Sequence, residues 1–215
     1  MFSRLNSAHL ENALDLLPAQ KAIAIDCLSL DDCNQLIELA DQLAYRKARA
    51  VTGSQSTPVY QDFELNYAIP DTHPFQELMT ALEVLVQPLL TQKRPADHSE
   101  HEPFALNDLI VQRYPPGCAG ISPHRDHVEY RLVVLILLLS GNGEFCIHSD
   151  RDEARRHVID FRPGQLLLMG APGISDDFKR PFHSVRNVTE SRRTIGMRYD
   201  RRLVFPASTA DSKSA

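Results

Sequence analysis

One step in the chain sets metal-ligating residues at strand spacing: His124-Arg-Asp126, which closes the stretch from Leu106 to Asp126. Side chains two apart in an extended segment share a face, so this imidazole and this carboxylate point the same way. Such a pair is two-thirds of a mononuclear iron site and lacks a second histidine from a later strand. With nine histidines in the chain, a His-x-Asp step alone says little. His183, in Pro-Phe-His-Ser-Val, sits late and between apolar neighbours. A jelly roll lays early and late strands side by side, so His183 can complete a two-histidine, one-carboxylate face around Fe(II). Three coordination positions then stay open, enough for a bidentate 2-oxo acid and O2. Beyond it, Arg192-Arg193-Thr194-Ile195-Gly196-Met197-Arg198 carries guanidinium groups on both faces of one strand. Their planar forks suit the distal carboxylate of 2-oxoglutarate.

These residues need a β scaffold, and the second half of the chain supplies its punctuation. Leu109 to Tyr114 reads as a strand stopped by Pro115-Pro116-Gly117, and Ile121-Ser-Pro re-enters to deliver His124. Further strands are expected over Arg131–Ser140, Glu144–His148, His157–Phe161, Gln165–Met169, Phe182–Val185 and Arg192–Tyr199. Gly141-Asn-Gly143 and Pro163-Gly164 turn the chain between them, and the loop Gly170–Pro181 is long enough to be a lid. The first half is α-rich. Ala8–Leu17 predicts a helix ended by Pro18, and Lys21–Cys27 a strand. Ser29-x-x-Asp32 resembles a capping box. Behind it, Cys33, Leu36, Ile37, Ala40 and Leu43 mark a helix closed by Arg46, Lys47 and Arg49. Val51–Thr57 reads as a loop and Val59–Ile69 as a strand. A further helix, capped by Asp71 or Thr72, should bury Phe75, Leu78, Leu82, Leu85 and Leu89. Gln92–Pro103 is a charged linker whose His98 and His101 belong to solvent. The fold class is therefore mainly β with flanking helices: a double-stranded β-helix, or jelly roll, with the N-terminal helices on one sheet.

Length and composition bound the partners. At 215 residues the chain suits one domain, expected over 1–203 with its β core at about 104–201 and a frayed tail from 204. A net charge of −5 gives no global pull toward phosphate or anionic lipid. Leu132–Leu139 is the one long apolar run, far short of the ~20 residues of a membrane helix, and reads as a buried strand. No secretory signal is visible at the N-terminus. Cys27, Cys33, Cys118 and Cys146 lack paired spacing, which suits reduced thiols and a cytoplasmic setting. His127 is expected to be structural, and His148 and His157 to be exposed.

The ordered set of motifs resembles the Fe(II)/2-oxoglutarate-dependent oxygenases over roughly Leu109–Arg201. Leu109-Ile-Val-Gln-Arg-Tyr-Pro-Pro-Gly with Ser-Pro-His-Arg-Asp is similar to the AlkB-like pattern of Asn-x-Tyr strand, Pro-Gly and His-x-Asp. Phe161-Arg-Pro-Gly-Gln-Leu-Leu-Leu-Met-Gly resembles that branch's strand ahead of the distal histidine, and Arg192-x-Thr-x-Gly-x-Arg198 its closing strand. Gln112 stands where that branch has Asn, and Thr194 and Gly196 where it has Asn and Thr. The short gap from His183 to the arginines and the Leu-Ser-x-x-Asp-Cys-x-x-Leu-Ile helix look instead like prolyl-hydroxylase relatives. The branch stays open between the two.

The resemblance implies His124, Asp126 and His183 as iron ligands. It implies Arg192 for the distal and Arg198 for the proximal carboxylate of 2-oxoglutarate, with Tyr114 and Gln112 as hydrogen-bonding partners. Spacing from His183 favours Arg193 over Arg192. Face chemistry favours Arg192, which shares its side with Thr194, Gly196 and Arg198, a set offering donors and room; Arg192 is preferred. The activity implied is a dioxygenase that oxidises 2-oxoglutarate to succinate and CO2 with O2 while hydroxylating an unactivated C–H. Asp126, rather than Ala or Gly, argues against a halogenase. A small molecule, amino acid or peptide is the favoured substrate. Demethylation of alkylated nucleic acid is the alternative, with Arg151, Arg155, Arg156, Lys179 and Arg180 as a possible local basic patch. A non-catalytic metal-binding jelly roll ranks third.

Overall fold

The computed structural model describes residues 2–92, 104–151 and 155–204. In chain order the first half forms α1 (Ser7–Gln20), β1 (Ala22–Asp26), α2 (Leu30–Asp41), β2 (Arg46–Lys47), β3 (Val51–Ser54), β4 (Thr57–Asp62), β5 (Glu64–Asn66) and α3 (Pro74–Gln92). The second half forms β6 (Asp108–Tyr114), β7 (Gly120–His124), β8 (Tyr130–Ser140), β9 (Glu144–His148) and β10 (Arg156–Ile159). It ends with β11 (Gln165–Gly170), β12 (Phe182–Arg186), β13 (Arg192–Asp200) and α4 (Arg201–Val204).

The strands make two antiparallel sheets, a major one in the order β1-β11-β8-β13-β6-β5-β2 and a minor one in the order β10-β9-β12-β7-β4-β3. Together with the helices they form the double-stranded β-helix expected from the sequence. The period of two explains the layering. Val133, Leu135, Leu137 and Leu139 of β8, with Ile195, Met197 and Tyr199 of β13, pack outward against Leu10, Leu14, Leu36, Leu78 and Leu82 of the helices. Val134 and Leu138 of β8 and Ile110 of β6 point inward and meet Phe145 and Val185 of the minor sheet. Both faces of β8 are therefore buried, which is why its sequence is a continuous apolar run.

The local elements depart from the sequence expectations in instructive ways. Helix α1 runs through Pro18 to Gln20, because proline in the last turn removes one hydrogen bond and its fixed φ is already helical. Asn6 caps its start by accepting from the backbone of Ala8 and His9. The capping box of Ser29 and Asp32 is present, but Arg46 and Lys47 do not close α2; they form the edge strand β2 against β5. Val51–Thr57 is not a loop. It is most of a β3–β4 hairpin with both faces exposed, so its sequence carries no hydrophobic period. The strand expected at Val59–Ile69 breaks at Phe63, where the chain leaves the minor sheet (β4) and enters the major one (β5). In α3 the buried stripe ends on Val86 and Leu90 rather than Leu85 and Leu89, and His73, not Asp71 or Thr72, accepts the Phe75 N–H at its start. His98, His101, most of the linker and the tail from 205 lie outside the described residues.

Candidate metal centre

Strands β7 and β12 lie side by side in the minor sheet, and their register sets His183 directly opposite His124. The two imidazole centroids are 4.2 Å apart. Asp126 is not on the strand. It falls in the loop after β7, and turning there brings its Oδ1 to 3.9 Å from His124 Nε2 and 3.6 Å from His183 Nε2. The ligand atoms of all three lie within 4.8 Å of one another, and they form the one such group of three or more His, Cys, Asp or Glu found among the described residues.

Each side chain is held ready to coordinate. His124 Nδ1 is 2.9 Å from the Ser122 carbonyl, so its N–H donates there and the Nε2 lone pair faces the centre. His183 is buried, and burial, then the neighbouring His124, push its pKa down to about 4, so the ring is neutral near pH 7. Burial alone would raise the Asp126 carboxyl. His183, His124, Arg198 and Arg180 outweigh it and hold the group below the usual carboxylate range. Two imidazole nitrogens and a carboxylate on one side of a small cation suit Fe(II) and leave room for other ligands. The donor set fits the metal.

From this centre a cleft runs between the sheets along β6 and β13. Its walls include Ile110, Gln112, Tyr114, Ile121, Val134, Ile136, Phe145, Val185, Arg192, Thr194, Gly196 and Arg198. The inward residues of β13 stand opposite those of β6 in four pairs: Arg192 with Tyr114, Thr194 with Gln112, Gly196 with Ile110, and Arg198 with Asp108. Arg192 is 1 % exposed, its Nε has no hydrogen-bond partner, and Nη1 makes only a long 3.4 Å contact to the Asn142 carbonyl. Burial lowers its pKa to about 10, partly offset by Tyr114, so the guanidinium is still charged at neutral pH. A buried cation with no carboxylate among the described residues is a costly arrangement unless an anion joins it.

Arg193 faces the other way, where its Nε and Nη2 donate to the two carboxylate oxygens of Asp41 of α2 at 2.7 and 2.9 Å. Thr194 Oγ1 donates to Gln112 Oε1 at 3.3 Å, which places both side chains inside rather than in solvent. Tyr114 is buried and stacks on Phe63 with centroids 4.8 Å apart. Arg198 is already engaged: its Nε lies 2.9 Å from Asp108 Oδ2, while Nη2 has no hydrogen-bond partner. Burial opposes its charge, but Tyr130, Asp108, Tyr67 and Asp126 raise its pKa on balance.

The sequence reading missed two features here. His148, expected in solvent, is buried, with Nε2 2.8 Å from Oγ of Ser184, the residue after His183 on β12. The β9–β12 pairing that buries it cannot be read from its polar neighbours. Arg125, inside the His-x-Asp step, was passed over. Its guanidinium carbon lies 4.1 Å from the Phe182 ring centroid, and burial, then Arg180 and Arg151, lower its pKa. Of the basic patch, Arg180 reaches the centre, donating from Nη1 to the Asp126 carbonyl. His127 is exposed and accepts the Glu129 N–H through Nδ1.

The fold is that of known Fe(II)/2-oxoglutarate oxygenases. A Burkholderia pseudomallei oxidoreductase of the 2OG-Fe(II) oxygenase family superposes with a TM-score of 0.62 at 13 % identity, over 94 % of this chain and 93 % of that one. A Trichoplax adhaerens prolyl hydroxylase, in complex with a peptide fragment of the hypoxia-inducible factor oxygen degradation domain, gives 0.62 at 16 % identity over 90 % of each chain. OsALKBH1 gives 0.55 at 16 % identity, over 83 % of this chain and 98 % of that one. No protein-family model and no curated protein sequence matches the chain. Both branches named by the motifs thus share this architecture, with no preference for the AlkB-like one.

Proposed function

We propose that this protein is an Fe(II)- and 2-oxoglutarate-dependent dioxygenase that hydroxylates a small molecule, amino acid or peptide, releasing succinate and CO2. The observation that carries this reading is the cleft itself, with a two-histidine, one-carboxylate face among its walls and a buried Arg192, its Nε without a hydrogen-bond partner, facing into the same space. Iron bound by His124, Asp126 and His183 would supply the O2 chemistry. The chain's own residues do the rest. Arg192 is poised to grip the distal carboxylate of 2-oxoglutarate, and Tyr114, paired opposite it, offers a phenol in the same pocket. Thr194 and Gln112 add polar contacts along the floor, and the free Nη2 of Arg198 offers a donor toward the proximal carboxylate. Ile121, Val134, Ile136, Phe145 and Val185 keep water from the reacting region.

The test is anaerobic Fe(II) plus 2-oxoglutarate, which should give a weak visible charge-transfer band. Asp126→Ala and His183→Ala should each abolish it, and a band that survives in either folded variant would remove the assignment. The second reading, AlkB-type demethylation of alkylated nucleic acid, draws support from the likeness to OsALKBH1 and the motifs around Tyr114 and Arg198. Succinate release across a panel that includes methylated single-stranded DNA separates the two.

A further inference from the structure

The metal ligands and Arg192 leave unused a group of charges gathered beside the centre. Arg125 and Arg151 both lie over Phe182, with guanidinium carbons 4.1 and 5.4 Å from its ring centroid. Phe182 immediately precedes His183. Arg180, two residues earlier, donates to the backbone carbonyl of Asp126 and lines a small pocket shared with Asp126 and His183. Three guanidinium groups from three separate segments thus converge on residues that bracket the triad. Arg125 and Arg151 are exposed and Arg180 is half-buried, and none of the three has a carboxylate partner among the described residues. The neighbouring acid, Asp126, faces the histidines. A divalent ion held by two neutral imidazoles and one carboxylate would add a further net positive charge.

Gathered like charges repel one another unless an anion joins them. Arg151 and Arg180 each spend a donor on a backbone carbonyl, of Pro58 and Asp126, and the remaining donors of the planar forks are suited to an incoming oxyanion. A polymer-binding surface would extend as a basic stripe. Here two arginines lie over one ring and the third holds the neighbouring Asp126 carbonyl, in a chain whose net charge is −5. We propose that Arg125, Arg151 and Arg180 form an anion-binding subsite, so that the substrate is a small molecule or peptide bearing a carboxylate or phosphate close to the C–H that is hydroxylated. This rests on the oxygenase reading above for its catalytic half.

Two measurements test it. In the metal-free protein, the arginine Nε–H resonances are followed by NMR during titration with benzoate and, separately, phenyl phosphate. Those of Arg125, Arg151 and Arg180 should shift saturably, and the stronger probe identifies carboxylate or phosphate as the group preferred. The Arg125→Gln/Arg151→Gln protein, its fold checked by circular dichroism, should show no saturable shift. In the Fe(II)- and 2-oxoglutarate-loaded enzyme, succinate release is compared for free acids or phosphate monoesters and their methyl esters. The anions should lead by about tenfold or more in kcat/KM, the difference expected for a hydrogen-bonded charge pair. That preference should vanish in the double variant. No saturable shift with either probe, equal turnover of acid and ester, or stimulation by methylated oligonucleotide alone would overturn the proposal. Saturable shifts with no succinate formed from 2-oxoglutarate would uphold the subsite and overturn the oxygenase reading instead.

Discussion

Arg192 and Arg193 are neighbours on opposite faces of β13. Arg192→Ala should raise the KM for 2-oxoglutarate by about a hundredfold or more, because a buried carboxylate would lose its charged partner. Arg193→Ala should leave that KM unchanged and lower stability by up to ~1 kcal/mol, since its pair with Asp41 is partly exposed and screened. Steady-state kinetics and thermal melts of the two variants separate the roles. His183 makes a second prediction at this scale. Its pKa falls from 6.5 unfolded to about 4 folded, so between those values the unfolded chain binds more protons. The metal-free protein should therefore lose stability as pH drops through that window, and His183→Asn should flatten the loss, as read by urea melts at several pH values. The strand period made legible that Arg192 and Arg193 take opposite faces; which of them turns inward took the chemistry of their neighbours, Thr194 and Gly196 on one side and Ile195 and Met197 on the other. The engagement of Arg198 by Asp108 was not, because it depends on the β6–β13 register, which neither strand states by itself.

Among elements, β13 matters most, lying between β6 and β8 with the helices on its outer face. Gly196 is where it passes Ile110. A Cβ there would come within 2.9 Å of the Ile110 methyl, a branched group with little freedom to retreat. Gly196→Val should cost on the order of 1–3 kcal/mol through overpacking and push Ile110 into the cleft, weakening 2-oxoglutarate binding. Denaturant melts and the Fe(II)/2-oxoglutarate charge-transfer titration would both register it. An unchanged protein would mean the cleft floor yields more easily than this packing implies. Most strands of the second half were legible because proline or glycine marks at least one end of β6, β7, β8, β9, β11 and β12. The β3–β4 hairpin was not, since a strand with two wet faces has no alternation to read. Nor was the break at Phe63, where the side-chain alternation of one strand runs on into the next.

At the scale of the molecule the two sheets are unequal. The major sheet carries the helices and most of the apolar core, whereas the minor sheet carries both histidines, on adjacent strands. An ion shared by His124 and His183 would therefore act as a clasp, tying β7 to β12 across the 58 residues between the two histidines. Binding energy at such a clasp goes to the parts of the structure that open only when it opens. Hydrogen exchange should accordingly find β7, β12 and β9 slowed by added Fe(II) or an inert divalent substitute, while β8, β11 and β13 exchange alike with and without it. Uniform slowing of both sheets would mean they open together. If they open separately, removing the metal leaves a folded major layer with a frayed partner, and the state of iron supply becomes readable as susceptibility to proteases on that one face.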